Sequence, residues 1–146
     1  MSRGAKVLLS PLVDRPMPII RVLVVEDYEP MRQTVRANLQ KRRNLRVIWE
    51  ASDGLEAVQK AIELKPDLII MDMGLPSLNG LEAARKILEF ISESKIIFLS
   101  QESSTDVVRE AMDSGAWGYV VKAKAGAELL AAVETVISGK RFVSSA

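Results

Sequence analysis

The sequence predicts an α/β chain built on a five-stranded parallel sheet, doubly wound by helices. Three observations point there. Apolar runs of strand length recur at 21–25, 45–49, 67–71, 95–99 and 118–121, each rich in Val, Ile or Leu. A stretch of helical spacing follows every one of them, and strand–helix alternation repeated five times argues for a parallel sheet with helices on both faces. The strands read as near-continuous apolar segments, as a sheet covered on both sides requires. At 146 residues, 48% of them hydrophobic and 27% charged, the chain is long enough for one domain with a real core.

Val22-Leu23-Val24-Val25 forms the first strand and closes in Glu26-Asp27. Residues 30–42 then place Met31, Val35 and Leu39 on one helical face, and Pro30 suits a first turn. The second run, 45–49, leads to residues 54–64, where Leu55, Val58, Ala61 and Ile62 repeat until Lys65-Pro66 stops the helix. The third, Leu68-Ile69-Ile70-Met71, ends in Asp72, and Gly74-Leu75-Pro76 turns the chain at once. Leu81, Ala84, Ile87, Leu88 and Ile91 mark a helix over 80–91. The fourth run ends at Ser100, and Val107, Val108, Ala111 and Met112 follow over 105–114, with Gly115 as a C-terminal cap. The fifth run leads to Lys122, and Leu129, Leu130, Val133, Val136 and Ile137 mark a last helix over 126–138, closed by Gly139. Residues 1–19 carry Pro11, Pro16 and Pro18, lack a secretory pattern and are expected to form a flexible leader. The domain spans 20–143, and 144–146 begin a linker or tail.

Composition removes several chemistries. There is no Cys, hence no disulfide, thiolate metal site or cysteine nucleophile. There is no His, hence no imidazole base and no histidine-held zinc. Reactivity must use carboxylate, hydroxyl or ammonium groups, and a metal would be held by oxygen, favouring magnesium, calcium or manganese. The net charge of +1 predicts no strong attraction to nucleic acid or to an anionic membrane. No apolar stretch approaches the length of a membrane span, and a cytoplasmic location is expected.

In open sheets of this kind ligands bind beyond the carboxyl ends of the strands. Glu26, Asp27, Asp72, Ser100 and Lys122 all fall at such ends. Each has an ordinary reading taken alone. Glu26-Asp27 would cap the next helix, worth up to about 1 kcal/mol; Asp72 and Ser100 would form turns; Lys122 would be a solvated surface lysine. Their joint placement supports a different reading, because like charges a few ångströms apart repel by roughly 4 kcal/mol per pair at an effective dielectric of 20 and call for a cation among them. The arrangement suits phosphoryl transfer to a carboxylate. Glu26, Asp27 and Asp72 supply the hard oxygens for Mg2+ or Mn2+, Asp72 is the nucleophile that forms an acyl phosphate, and Lys122 and Ser100 meet the phosphoryl oxygens.

At these residues the chain resembles a response-regulator receiver domain of bacterial two-component signalling. The likeness rests on Val24-Val25-Glu26-Asp27, Asp72-Met73-Gly74-Leu75-Pro76 with Asn79-Gly80, Ser100, and Gly115-Ala116-Trp117-Gly118-Tyr119 leading to Lys122. It implies a flavodoxin-like sheet with strand order 2-1-3-4-5. It further implies that Asp72 accepts phosphate from a sensor histidine kinase, a phosphotransfer protein or a small phosphodonor. Glu26 and Asp27 would hold magnesium together with Asp72 and the main-chain carbonyl of Gly74. Tyr119 resembles the aromatic switch residue that turns inward when Ser100 moves toward the phosphate; as an ordinary edge-strand aromatic it would pack on the surface. Gly118 to Lys122, Ala125 to Leu130 and Gly139-Lys140-Arg141-Phe142 resemble receivers of the NarL/FixJ class, which implies a LuxR-type DNA-binding domain beyond Ala146, or else a stand-alone receiver. Homodimer formation is possible for such a domain, and no direct nucleic-acid contact by this chain is expected.

The sequence departs from the family pattern at three places. Gln101 follows Ser100 where a small residue is usual and is expected to crowd the phosphoryl pocket. Ala123 replaces the common proline after Lys122, so no cis-proline turn is expected there. Gly74 offers no side chain to steer an attacking water. The cluster Arg36, Lys41, Arg42, Arg43 and Arg46 reads as a solvated helix end or as a docking patch for an acidic partner, and Trp49 and Trp117 read as packing residues. Two further functions compete with the switch. An aspartyl-phosphate phosphohydrolase would carry a second Asp at position 74, and a pseudo-receiver would lack some of the five polar residues. Neither GxGxxG nor a P-loop is present, which counts against a nucleotide-binding sheet.

Overall fold

A computed structural model describes residues 17–144. Most of the expected leader, residues 1–16, and the last two residues of the expected tail lie outside the described residues. The elements run β1 (Ile20–Val25), α1 (Glu29–Leu39), β2 (Leu45–Ala51), α2 (Gly54–Leu64), β3 (Leu68–Asp72), α3 (Gly80–Phe90), β4 (Lys95–Ser100), α4 (Thr105–Asp113), β5 (Gly118–Val121), a single 3-10 turn (Lys122–Lys124), α5 (Ala125–Ile137) and β6 (Phe142–Val143).

All strand pairs are parallel, and the sheet order is β2-β1-β3-β4-β5-β6. The expectation of five strands is therefore corrected to six. Phe142 N–H donates to the Trp117 carbonyl at 3.0 Å and Ser144 N–H to that of Tyr119 at 2.8 Å, which lays the chain after α5 along the free edge of β5. A two-residue strand has no run long enough to register as periodicity. The expected order of the first five strands holds. β2 carries an irregularity: Val22 pairs with Val47 but Leu23 pairs with Trp49, so Ile48 is an extra residue and the strand runs two residues past its expected end.

Two cores result. Leu23, Val25, Ile69, Met71 and Phe98 face α2, α3 and α4 through Ala57, Ala61, Ala84, Ile87 and Ala111. Val22, Val24, Ile70, Ile97 and Leu99 face α1 and α5 through Val35, Leu39, Leu129, Val133 and Val136. Alternation along each strand sends neighbouring side chains to opposite faces, and helices cover both. Asp53 caps α2 by accepting from Glu56 N–H at 2.8 Å, and Asn79 caps α3 by accepting from Glu82 N–H at 3.0 Å. Tyr28 occupies the N-cap of α1 without a side-chain bond, so Glu26 and Asp27 do not cap that helix.

Packing is close where α3 meets the end of β3 and where α2 meets the loop that follows it. A Cβ at Gly80 would stand 2.1 Å from the Asp72 carbonyl oxygen, and one at Gly54 would stand 1.8 Å from that of Leu78. These two glycines let the helices seat against the strand and loop that carry Asp72.

Candidate functional site

Glu26 and Asp72 are the points where β1 and β3 leave the sheet. Glu26 N–H still donates to the Ala51 carbonyl at 3.0 Å, and Met73 N–H to that of Leu99 at 2.9 Å, so both strand ends are fixed by sheet bonds up to the site itself. Ser100 is the last residue of β4, and Lys122 follows the last residue of β5. Doubly wound topology brings these ends side by side although they are nearly a hundred residues apart in the chain.

Lys122 Nζ lies 3.0 Å from Glu26 Oε1 and 3.0 Å from Asp72 Oδ1, with its side chain only 14% exposed. The expectation of a solvated surface lysine, taken for the residue alone, is thereby overturned. Glu26 is fully buried, Asp72 and Ser100 nearly so, and Asp27 is exposed at the rim. One carboxylate oxygen from each of Glu26, Asp27 and Asp72 lies within 4.8 Å of the others. Asp72 Oδ1 also accepts from Gly74 N–H at 2.9 Å and Glu26 Oε2 from Tyr28 N–H at 3.1 Å. Asp72 therefore does shape its turn, as its plain reading held, while its carboxylate lines the site. A cleft of about 860 Å3 opens over this group, bordered by Asp27, Asp72, Gly74, Ser100, Gln101 and Lys122.

The electrostatics separate the two buried acids. Burial pushes the Glu26 carboxyl up to about 7, aided by the nearby Asp72 charge and opposed by Tyr28 N–H and Lys122. Burial acts in the same upward sense on Asp72, but Gly74 N–H, the hydrogen bond with Glu26 and the Lys122 ammonium outweigh it and hold Asp72 below the ordinary carboxylate range. Lys122 is raised, because its bonds to Glu26 and Asp72 and their charges outweigh the burial that would lower it. One cation thus faces two carboxylates, and Glu26 Oε1 is buried with no aligned hydrogen-bond donor although the ammonium is near. A buried acceptor left in that state, with two further carboxylates at hand, fits a hard divalent cation held by oxygen.

Ser100 Oγ accepts from Glu102 N–H at 3.1 Å, so its turn-forming reading is realised. Tyr119 is fully buried, and its hydroxyl donates to the Glu102 carbonyl at 2.7 Å. The expectation of a surface-packed edge aromatic fails: β6 removes the edge, and the ring points into the core beside Phe98 and Ala111. Ser100 and Tyr119 are therefore joined through one residue, Glu102, by its two main-chain groups. Sequence reasoning could not single out Glu102, because its side chain takes no part.

The other expectations divide. Gln101 borders the cleft and is exposed. No cis peptide occurs among the described residues, and the chain passes from Lys122 directly into the 3-10 turn. The basic cluster is solvated at Lys41, Arg42, Arg43 and Arg46, all exposed, with Arg42 pairing with Glu134 at 2.7 Å, whereas the half-buried Arg36 holds Glu50 through two bonds of 2.7 Å. Trp117 packs against the second core with Lys95 and Arg141 over its ring. Trp49 is instead 40% exposed, under Lys60 Nζ at 3.9 Å. Arg32, which sequence periodicity does not mark out, donates to the Glu26 carbonyl at 2.8 Å; its one sequence signal is Glu29, three residues before it on α1.

Comparison with known proteins gives a consistent result. The family described as "Response regulator receiver domain" matches residues 22–134. The chain is 37% identical over 127 residues to the transcriptional regulatory protein LiaR of Bacillus subtilis (strain 168), covering 87% of this chain and 60% of that protein. It is 36% identical over 127 residues to the response regulator UvrY of Escherichia coli (strain K12), covering 87% of this chain and 58% of that one. The chain thus spans about three-fifths of the length of these relatives. Among solved structures, a LuxR-family two-component response regulator from Aurantimonas sp. SI85-9A1 superposes with a TM-score of 0.80 at 31% identity, covering 85% of this chain and 89% of that one. The response regulator domain of Thermotoga maritima CheB does so with 0.75 at 34%, covering 82% and 97%.

Proposed function

Because this chain belongs to the response-regulator receiver family, we propose that it is a switch written on Asp72. The observation that carries the reading is the Lys122 ammonium standing 3.0 Å from both Asp72 Oδ1 and Glu26 Oε1 beneath an open cleft. The Asp72 carboxylate attacks the phosphorus of a donor; a P–O bond forms to Asp72, the P–N bond of a phosphohistidine breaks, and the electron pair leaves on the imidazole nitrogen. With a small acyl-phosphate donor the leaving group is a carboxylate. Holding Asp72 below the ordinary carboxylate range keeps the nucleophile ionised.

Glu26, Asp27, Asp72 and the Gly74 carbonyl would hold Mg2+ or Mn2+, which supplies positive charge against the phosphoryl oxygens when bound. Lys122 exchanges part of its bonding to Asp72 for a phosphoryl oxygen, and the Ser100 hydroxyl turns from Glu102 N–H toward another. That movement releases one end of the Glu102 segment while Tyr119 holds the other, so charge arriving at Asp72 is read at β5 and α4. The donor is a sensor histidine kinase or phosphotransfer protein, and the output is a change of dimer or effector surface. In a longer protein of the LiaR or UvrY kind this surface would control a LuxR-type DNA-binding domain. Position 74 carries no carboxyl for acid–base work, which supports self-catalysed phosphorylation and dephosphorylation over the turnover of a phosphohydrolase.

Incubation with Mg2+ and acetyl phosphate followed by intact mass measurement tests this. One phosphoryl group should be gained by the wild type and none by Asp72→Asn. Rapid consumption of many donor equivalents would instead mark a hydrolase, and a protein that takes neither phosphoryl group nor Mg2+ would be a pseudo-receiver.

A further inference from the structure

We propose that Arg32 is a positioning residue for the acidic end of β1, holding Glu26 and Asp27 in the arrangement that receives a divalent cation. The inference rests on the reading of the site given above. Glu26 is the first residue beyond β1, and its N–H makes a last bond toward β2 while its carbonyl has left the sheet. A carbonyl in that position needs a donor from elsewhere. Arg32 Nη1 supplies it at 2.8 Å, reaching back from the first turn of α1.

The guanidinium is itself held from two further sides. Nη2 bonds the Glu29 carboxylate on the same helix, and Nε stands 3.3 Å from Glu50 Oε1 at the end of β2. Glu50 is in turn gripped by Arg36 through Nε and Nη2, each at 2.7 Å. Arg32 is therefore a fixed fork joining α1, β2 and the β1–α1 loop, with its side chain only 21% exposed. The fork geometry matters, since a planar guanidinium presents its donors in a rigid fork that reaches carbonyl and carboxylates on different sides, whereas an ammonium is a compact point charge on a flexible stem. The loop it fixes carries two of the three carboxylates that lie within 4.8 Å of one another. Groups that orient metal ligands without touching the metal typically govern affinity by 10–100-fold.

The test is Mg2+ titration by calorimetry on the wild type, Arg32→Met and Arg32→Lys, with thermal melts of the metal-free proteins alongside. Arg32→Met should weaken Mg2+ binding by about ten-fold or more, and Arg32→Lys should recover part of it. Backbone amide signals of Glu26 and Asp27 should shift in Arg32→Met. Mg2+ affinities that stay equal across all three proteins, with only the melting temperature changed, would show a merely structural ion pair and overturn the inference. Should Arg32→Met fail to fold, Glu50→Gln loosens the anchor with Arg32 still in place and should weaken Mg2+ binding in the same direction; unchanged affinity there overturns the inference equally. A wild-type protein that binds no Mg2+ overturns the reading of the site and this inference with it, whereas normal wild-type binding with unaffected variants overturns this inference alone.

Discussion

Glu26 and Asp72 are chemically similar acids at similar depth, and their surroundings drive them apart: burial pushes Glu26 up to about 7, while Gly74 N–H, Glu26 and Lys122 outweigh burial at Asp72. A carboxyl raised in the fold from its ordinary 4.5 contributes stability that is complete at acid pH and is lost as pH rises toward 7, so the metal-free protein should soften over that interval. Cation binding requires the proton to leave, and Mg2+ affinity measured by calorimetry should rise about ten-fold between about pH 6 and pH 8. Gln101 gives a second prediction at this scale. Its side chain borders the cleft, and Gln101→Ala should be phosphorylated faster by acetyl phosphate; identical time courses by intact mass would remove the steric role. These acids were legible in the sequence because each ends a buried run. The link between Ser100 and Tyr119 was implied by the family resemblance, but its route was not legible, since it passes through main-chain atoms of Glu102 that no side-chain pattern reports.

At the scale of elements, periodicity located the five main strands and all five helices to within a few residues, because each buries an apolar face whose spacing is set by backbone geometry. It missed the last two residues of β2, where an extra residue at Ile48 breaks alternation, and it missed β6, whose pairing rests on backbone bonds rather than on an apolar run. The contact of α3 with β3 carries a prediction. A methyl at Gly80 would meet the Asp72 carbonyl at 2.1 Å, so Gly80→Ala should cost ~1–3 kcal/mol by chemical denaturation. It should also slow phosphorylation of Asp72, because relief requires the strand end to move. A variant that loses stability but keeps the wild-type phosphorylation rate would show that α3 yields instead.

For the whole molecule, a cation taken by the acidic group where β1 and β3 end would couple occupancy to the stability of the entire sheet. Mg2+ at ten times its Kd should stabilise the fold by about 1.4 kcal/mol, visible as a rise of roughly 5 °C in Tm, and Asp72→Asn should blunt that response. The sheet's two rims are also treated unequally. On one flank β2 is outermost, where the exposed charge of Arg46 and the irregularity at Ile48 oppose pairing with a further strand. On the other, Phe142 to Ser144 cover the main chain of β5, with Ser144 Oγ accepting from Val121 N–H at 2.9 Å and donating to Glu128 at 2.6 Å. Removing residues 142–146 would bare the carbonyls of Trp117 and Tyr119 and the amide of Val121 together. The shortened protein should associate with itself as its concentration rises, seen by sedimentation velocity, because a sticky ribbon of unsatisfied peptide groups would then be offered to any neighbouring copy.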